Sequence, residues 1–215
     1  MFEEERETVL RTCTDLVTNG VVRNTGSAGN VSIRPAGEND RIVITPSKIN
    51  YDTMTPEDML VIDGSGSVVE SPSGYEPSSE TPMHLNVHDV VEGSRAVVHS
   101  HPKNAIALGA LEDSIPTVHV DQAYFVGDHV PVIDYVPSGS QEMGQAVSDA
   151  VQEAGAVLIR HHGLITIGGD LPEALERTLA IESNASIYHR TATLGDVPPM
   201  DDADIQRLQD PDAEL

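Results

Sequence analysis

The sequence predicts an α/β fold in which a mainly antiparallel sheet is held between helices. Three observations carry this: two hairpin-like units early in the chain, segments of helical period on either side of them, and strands and helices that mix without strict βαβ alternation. From Glu3 to Asn19 the apolar residues Val9, Leu10, Cys13, Leu16 and Val17 recur at helical spacing, and Gly20 stands where a C-terminal cap belongs. Residues 30–34 and 41–45 flank Gly37-Glu38-Asn39-Asp40, and residues 59–63 and 68–70 flank Gly64-Ser65-Gly66-Ser67; both pairs read as antiparallel β. A Ser/Pro/Gly-rich loop at 71–79 runs into a helix over 81–91, with Pro82 in its first turn. A strand at 95–100 then ends at His101-Pro102, followed by a short helix over 104–111 and strand-like pieces at 117–120 and 130–135. Residues 140–153 place Met143, Ala146, Val147, Ala150 and Val151 on one helical face, with Gly155 as the stop. Two apolar strands, 156–159 and 164–167, surround a His-His-Gly turn, and Asp170 caps a last long helix carrying Pro172 and Glu173 in its first turn.

Twelve Lys and Arg against thirty-five Asp and Glu give 215 residues a formal net charge of −23 and a pI near 4.4. That is about three times the upper end of the roughly 2–8 charges usual for a small domain. The sign speaks against binding nucleic acid through its phosphates and against adhesion to an anionic membrane, since both need clustered cations. With 39% hydrophobic residues and clear periodicity the chain is expected to pack rather than to stay disordered. Few Lys among many acids suit concentrated salt, where screening removes self-repulsion, so a halophilic cytoplasm is expected. The one cysteine, Cys13, lies on an apolar stripe and reads as a buried small hydrophobe in a reducing compartment. The start, MFEEERE, lacks the basic character of a signal peptide, and no apolar run approaches the roughly 18 residues of a membrane span. A cytoplasmic protein is therefore expected, with residues 1–195 as one catalytic domain and 196–215 as an acidic, mobile tail.

The nine histidines carry the chemistry. In Val98-His99-Ser100-His101 the strand period of two puts both imidazoles on one face, where they can bite one metal ion together. His161-His162-Gly163 turns between two apolar strands, and its glycine lets the backbone pass close to something. Three neutral imidazoles with an open position make a catalytic divalent site, zinc before others. Pro77-Ser78-Ser79-Glu80 adds hydroxyls and free N–H groups at a helix start, a natural cradle for phosphate; equally, Ser79 can be an N-cap and Glu80 a first-turn carboxylate. Glu80, His84 and His88 form a rival metal set, weighted lower because an i, i+8 span exceeds one coordination shell at about 1.5 Å per residue. His84 is then a supporting residue and His88 a surface one. Gly26-Ser27-Ala28-Gly29-Asn30-Val31-Ser32 and Thr45-Pro46-Ser47-Lys48 are further loops able to receive an anion.

Taken in order, Gly29-Asn30-Val31-Ser32, Thr45-Pro46-Ser47, Pro77-Ser78-Ser79-Glu80, Val98-His99-Ser100-His101 and His162-Gly163-Leu164-Ile165 resemble the class II aldolase/adducin family over residues 5 to 195. The resemblance implies a three-layer α/β/α sandwich and a homotetramer with active sites between neighbouring subunits. It implies one zinc per chain, with Mn2+ or Co2+ as substitutes, held by His99, His101 and His162 and covered by Glu80 in the resting site. It places a substrate phosphate at Asn30, Ser47, Ser78 and Ser79, with Gly29 allowing close approach and Lys48 standing where the family's aldolases have glycine. The implied activity is reversible cleavage of a ketose 1-phosphate to dihydroxyacetone phosphate and an aldehyde through an enediolate, with Glu80 moving the carbon proton. The family's catalytic tyrosine matches Val120 here, which leaves Tyr124 or Asp121 as candidate proton donors. An epimerase or dehydratase relative and a non-catalytic adducin-type module are the alternatives, the last disfavoured by the retained histidines.

Overall fold

A computed structural model describes residues 1–25 and 28–210; Gly26 and Ser27 of the small-residue bend and the last five residues of the acidic tail lie outside the described residues. The elements in chain order are α1 (Glu3–Thr18), β1 (Asn30–Ile33), β2 (Arg41–Ile44), β3 (Leu60–Asp63), β4 (Val68–Glu70), α2 (Thr81–Val90), β5 (Ala96–Ser100), α3 (Lys103–Gly109) and β6 (Ser114–Pro116). They continue with α4 (Val120–Phe125), β7 (His129–Ile133), α5 (Gln141–Ala154), β8 (Ala156–Ile159), β9 (Gly163–Gly168), α6 (Leu171–Ala192) and α7 (Asp202–Gln209).

The strands form one nine-stranded sheet in the order β4-β3-β2-β1-β5-β9-β8-β7-β6. Every neighbouring pair is antiparallel except β7 with β8, so the sheet is mixed but mainly antiparallel. Its two faces follow the strand period of two. Val31, Ile33, Val43, Val61, Ala96 and Val98 pack against α1 and the start of α6, while Val97, Val157, Ile159, Ile165 and Ile167 pack against α2 and α5. A third cluster, with Ala156, Leu158 and Leu164, lies against α3 and α6. Helices thus cover both faces, which makes the three-layer sandwich. Cys13 is fully buried in the α1 cluster, where burial drives its thiol far toward the protonated form.

Two local expectations are corrected, and the tail carries an element of its own. Residues 117–120, expected as a strand, hold only a turn into α4; the strand is Ser114–Pro116, pairing with β7. Thr117 instead uses its hydroxyl on the Gly127 carbonyl, closing the loop around α4. Within the tail expected to be mobile the chain forms α7, capped by Asp201 through the Ala203 N–H. It is anchored by Ile205, 4% exposed, and by the Met200 N–H donating to the Thr117 carbonyl. One buried isoleucine in an acidic segment is too sparse a pattern to announce a docked helix. Finally His88, expected at the surface, is buried at 4% exposure.

Candidate metal centre and anion cleft

β5 is central in the sheet, between β1 and β9, and delivers His99 and His101 at its C-terminal end. The β8–β9 turn delivers His162: His161 takes the left-handed conformation (φ 60°) and faces solvent, while its neighbour turns inward. The ring centroids of His99, His101 and His162 lie 4.9 to 5.5 Å apart, each pair edge-to-face. One ligand nitrogen from each falls within 4.8 Å of the others. Gly163 is the glycine that lets the backbone pass: a Cβ there would sit 2.7 Å from His101 Cδ2 and 2.8 Å from His99 Cε1.

The donor set fits a divalent ion. His99 Nδ1 lies 3.1 Å from the Leu164 carbonyl, an acceptor only, so Nδ1 donates there and Nε2 is the atom turned toward the cluster. That Nε2 faces His101 Nε2 at 3.1 Å. Burial, reinforced by the neighbouring rings, lowers the pKa of His101 to about 3 and of His162 to about 4, so both are neutral ligands at pH 7. The buried Nδ1 of His162 makes no hydrogen bond.

Glu80 occupies the N-cap position of α2 and points its carboxylate at the histidines. Its Oε2 lies 3.3 Å from His99 Nε2 and its Oε1 3.4 Å from His162 Nε2. Asn30 Nδ2 donates to Oε2 at 2.7 Å and Ser138 Oγ to Oε1 at 2.6 Å. Burial opposes ionisation, yet the His99 ring, these two donors and His162 outweigh it and hold the carboxyl down at about 2. Ser138 was not singled out from sequence. Its Pro-Ser-Gly turn gives no signal of its own, and Gly139 (φ 73°) brings it in because a Cβ there would lie 2.6 Å from the Ser79 carbonyl.

Beside the histidines a cleft of about 160 Å³ is lined by Gly29, Asn30, Ser47, Lys48, Ser78 and Ser79, together with Pro46, Glu80, His101, Ser138 and His162. Its two serine loops are tied by a bridge between Pro46 and Pro77, by Ser78 N–H donating to the Thr45 carbonyl and by Ser47 N–H donating to the Glu76 carbonyl. Lys48 sits on the exposed rim with φ 63°. Gly29 is close-packed for a reason of its own: a Cβ would meet the His99 carbonyl at 2.8 Å and Val22 at 2.9 Å. The cleft gathers all six residues expected around an anion. Tyr124 and Asp121 stand apart, more than half exposed on α4 and lining other clefts. His84 and His88 do not join the histidine cluster; both hydrogen-bond Ser32.

A class II aldolase and adducin N-terminal domain model matches residues 7–189. The chain belongs to that family. It is 35% identical over 192 residues to an L-fuculose phosphate aldolase of Haemophilus influenzae, covering 89% of this chain and 85% of that one. An Escherichia coli 5-methylthioribulose-1-phosphate/5-deoxyribulose-1-phosphate aldolase is 33% identical over 93% of this chain and 90% of its own. The solved structure of an L-fuculose 1-phosphate aldolase superposes with a TM-score of 0.88 at 27% identity, covering 95% of this chain and 94% of that one. Class II aldolases use a metal, and His99, His101 and His162 form a cluster that could hold one.

Proposed function

We propose that this chain is a divalent-metal-dependent aldolase that reversibly cleaves a ketose 1-phosphate to dihydroxyacetone phosphate and an aldehyde. The observation that carries the reading is the convergence of His99, His101, His162 and the Glu80 carboxylate beside the serine-lined cleft, to whose wall His101, His162 and Glu80 belong. A zinc ion held by the three histidines, or Mn2+ or Co2+ in its place, supplies a Lewis acid for the charge that develops on the substrate's carbonyl oxygen. The phosphate is received by Ser47, Ser78 and Ser79 and by backbone N–H groups near Gly29 and Asn30, with Lys48 adding a positive group at the rim. In cleavage the electron pair of the broken carbon–carbon bond stays on the three-carbon fragment, and Glu80 returns a proton to that carbon. In condensation Glu80, poised as a carboxylate, removes it.

The fuculose phosphate aldolase relatives favour fuculose 1-phosphate as the ketose, while the second relative brings in 5-methylthio and 5-deoxy pentulose 1-phosphates. Tyr124 and Asp121 lie outside the cleft on exposed α4, a placement that suits donation to the aldehyde oxygen of a neighbouring subunit in a homotetramer. Proton exchange tests the roles directly. Zinc-loaded protein in D2O is expected to exchange one carbon-bound hydrogen of dihydroxyacetone phosphate, and Glu80→Gln to lose this by about a hundredfold or more while retaining zinc. Exchange undiminished in Glu80→Gln, or absent from the wild type, contradicts the assignment.

A further inference from the structure

Behind Glu80 lies a file of buried polar side chains that the aldolase reading leaves unused. Asn30 Nδ2 donates to the Glu80 carboxylate, so the other end of the amide, Oδ1, faces away, 2.5 Å from His84 Nε2. An amide oxygen only accepts, so His84 Nε2 bears the proton. His84 is fully buried and its Nε2–H is taken up by an uncharged amide oxygen, so the ring is neutral and its Nδ1 is a lone pair. Ser32 Oγ, 2.6 Å from that nitrogen, must donate to it. Having given its one proton, Ser32 Oγ accepts from His88 Nε2 at 2.8 Å. Every proton in the series points toward Glu80. Its members come from β1 and α2, and all are 6% exposed or less.

We propose that His84, Ser32 and His88 are positioning residues, a one-way hydrogen-bond chain that fixes the orientation of the Asn30 amide and thereby holds the Glu80 carboxylate in working position. If the chain ran the other way, the Asn30 carbonyl would oppose the carboxylate and push it from its place. The kinetic part rests on the aldolase reading; the direction of the chain does not.

Two measurements test it. Imidazole 15N spectra of the wild-type protein, zinc-free and zinc-loaded, are expected to show His84 and His88 as Nε2–H tautomers. Zinc-loaded Ser32→Ala is expected to lose about tenfold in kcat for sugar-phosphate cleavage with KM within about twofold and zinc content unchanged, the size of effect one lost orienting hydrogen bond produces. His84→Gln keeps an N–H donor for Asn30 and is expected to retain more turnover than His84→Leu. An Nδ1–H tautomer at His84 in the wild type overturns the proposal. So does a Ser32→Ala enzyme with wild-type kcat, or one whose kcat, KM and zinc content deteriorate together as in general loosening. Should the wild type turn over no sugar phosphate, the aldolase reading fails while the tautomers still decide the chain.

Discussion

At the scale of single residues, Lys48 separates stability from function. A non-glycine residue in the left-handed region costs about 1 kcal/mol, and Lys48 bears that cost at the rim of the cleft. Lys48→Gly is expected to raise the unfolding midpoint by the equivalent of about 1 kcal/mol and to raise KM for the sugar phosphate about threefold to tenfold, less in high salt. A KM unchanged by the substitution would place the ammonium in solvent, with no part in binding. The residues of this site differ in how far the sequence displays them. His99 and His101 are legible because a strand repeats every two residues, and Gly163 because a glycine after paired histidines signals close approach. Glu80 reads equally well as an ordinary first-turn carboxylate until its two oxygens are seen against His99 and His162. Ser138, Ser32 and the burial of His88 depend on loops and strands distant in sequence, and no local pattern encodes them.

At the scale of elements, the periodic segments were legible and the short ones were not. α1, α5 and α6 carry long stripes and caps, and the two early hairpins are bounded by glycine-rich turns, so their positions follow from local rules. α4, with six residues, is too short to show a helical period, and its first residue, Val120, is β-branched, which favours a strand reading. α7 is anchored by one buried side chain, Ile205. Ile205→Ala is accordingly expected to cost about 2 kcal/mol in denaturant unfolding and to speed amide hydrogen exchange across 202–209. Unchanged stability and exchange would mean that α7 is not docked through Ile205. α7 packs beside α4, the helix that carries both candidate proton donors.

At the scale of the molecule, the −23 charge and the site answer to different physics. The charge belongs to the solvated surface, whereas the interior holds neutral imidazoles. His84, His88, His101 and His162 bind protons at about 3, 3, 3 and 4 in the folded chain against an ordinary 6.5. Below 6.5 the unfolded chain therefore holds more protons, and stability present above that pH is lost as pH falls toward about 3. Glu80, held at about 2 against an ordinary 4.5, adds a further loss below 4.5. Relief of surface repulsion acts in the opposite sense, and about 1 M KCl suppresses it by shortening the screening length to about 3 Å. In that salt the metal-free protein is expected to show a level Tm above pH 7 and a steady fall from pH 6.5 downward. A Tm that holds or rises down to pH 4 would contradict neutral burial of these rings. Among the described residues no helix is long and apolar enough to cross a membrane, and the Haemophilus influenzae and Escherichia coli relatives are named as sugar-phosphate aldolases. The central claim is therefore best tested by product identification: zinc-loaded protein is incubated with dihydroxyacetone phosphate and a panel of aldehydes. Condensation with at least one aldehyde, abolished by a chelator and restored by zinc, is the predicted result; no condensation with any of them, alongside epimerisation of a pentulose phosphate, would contradict it.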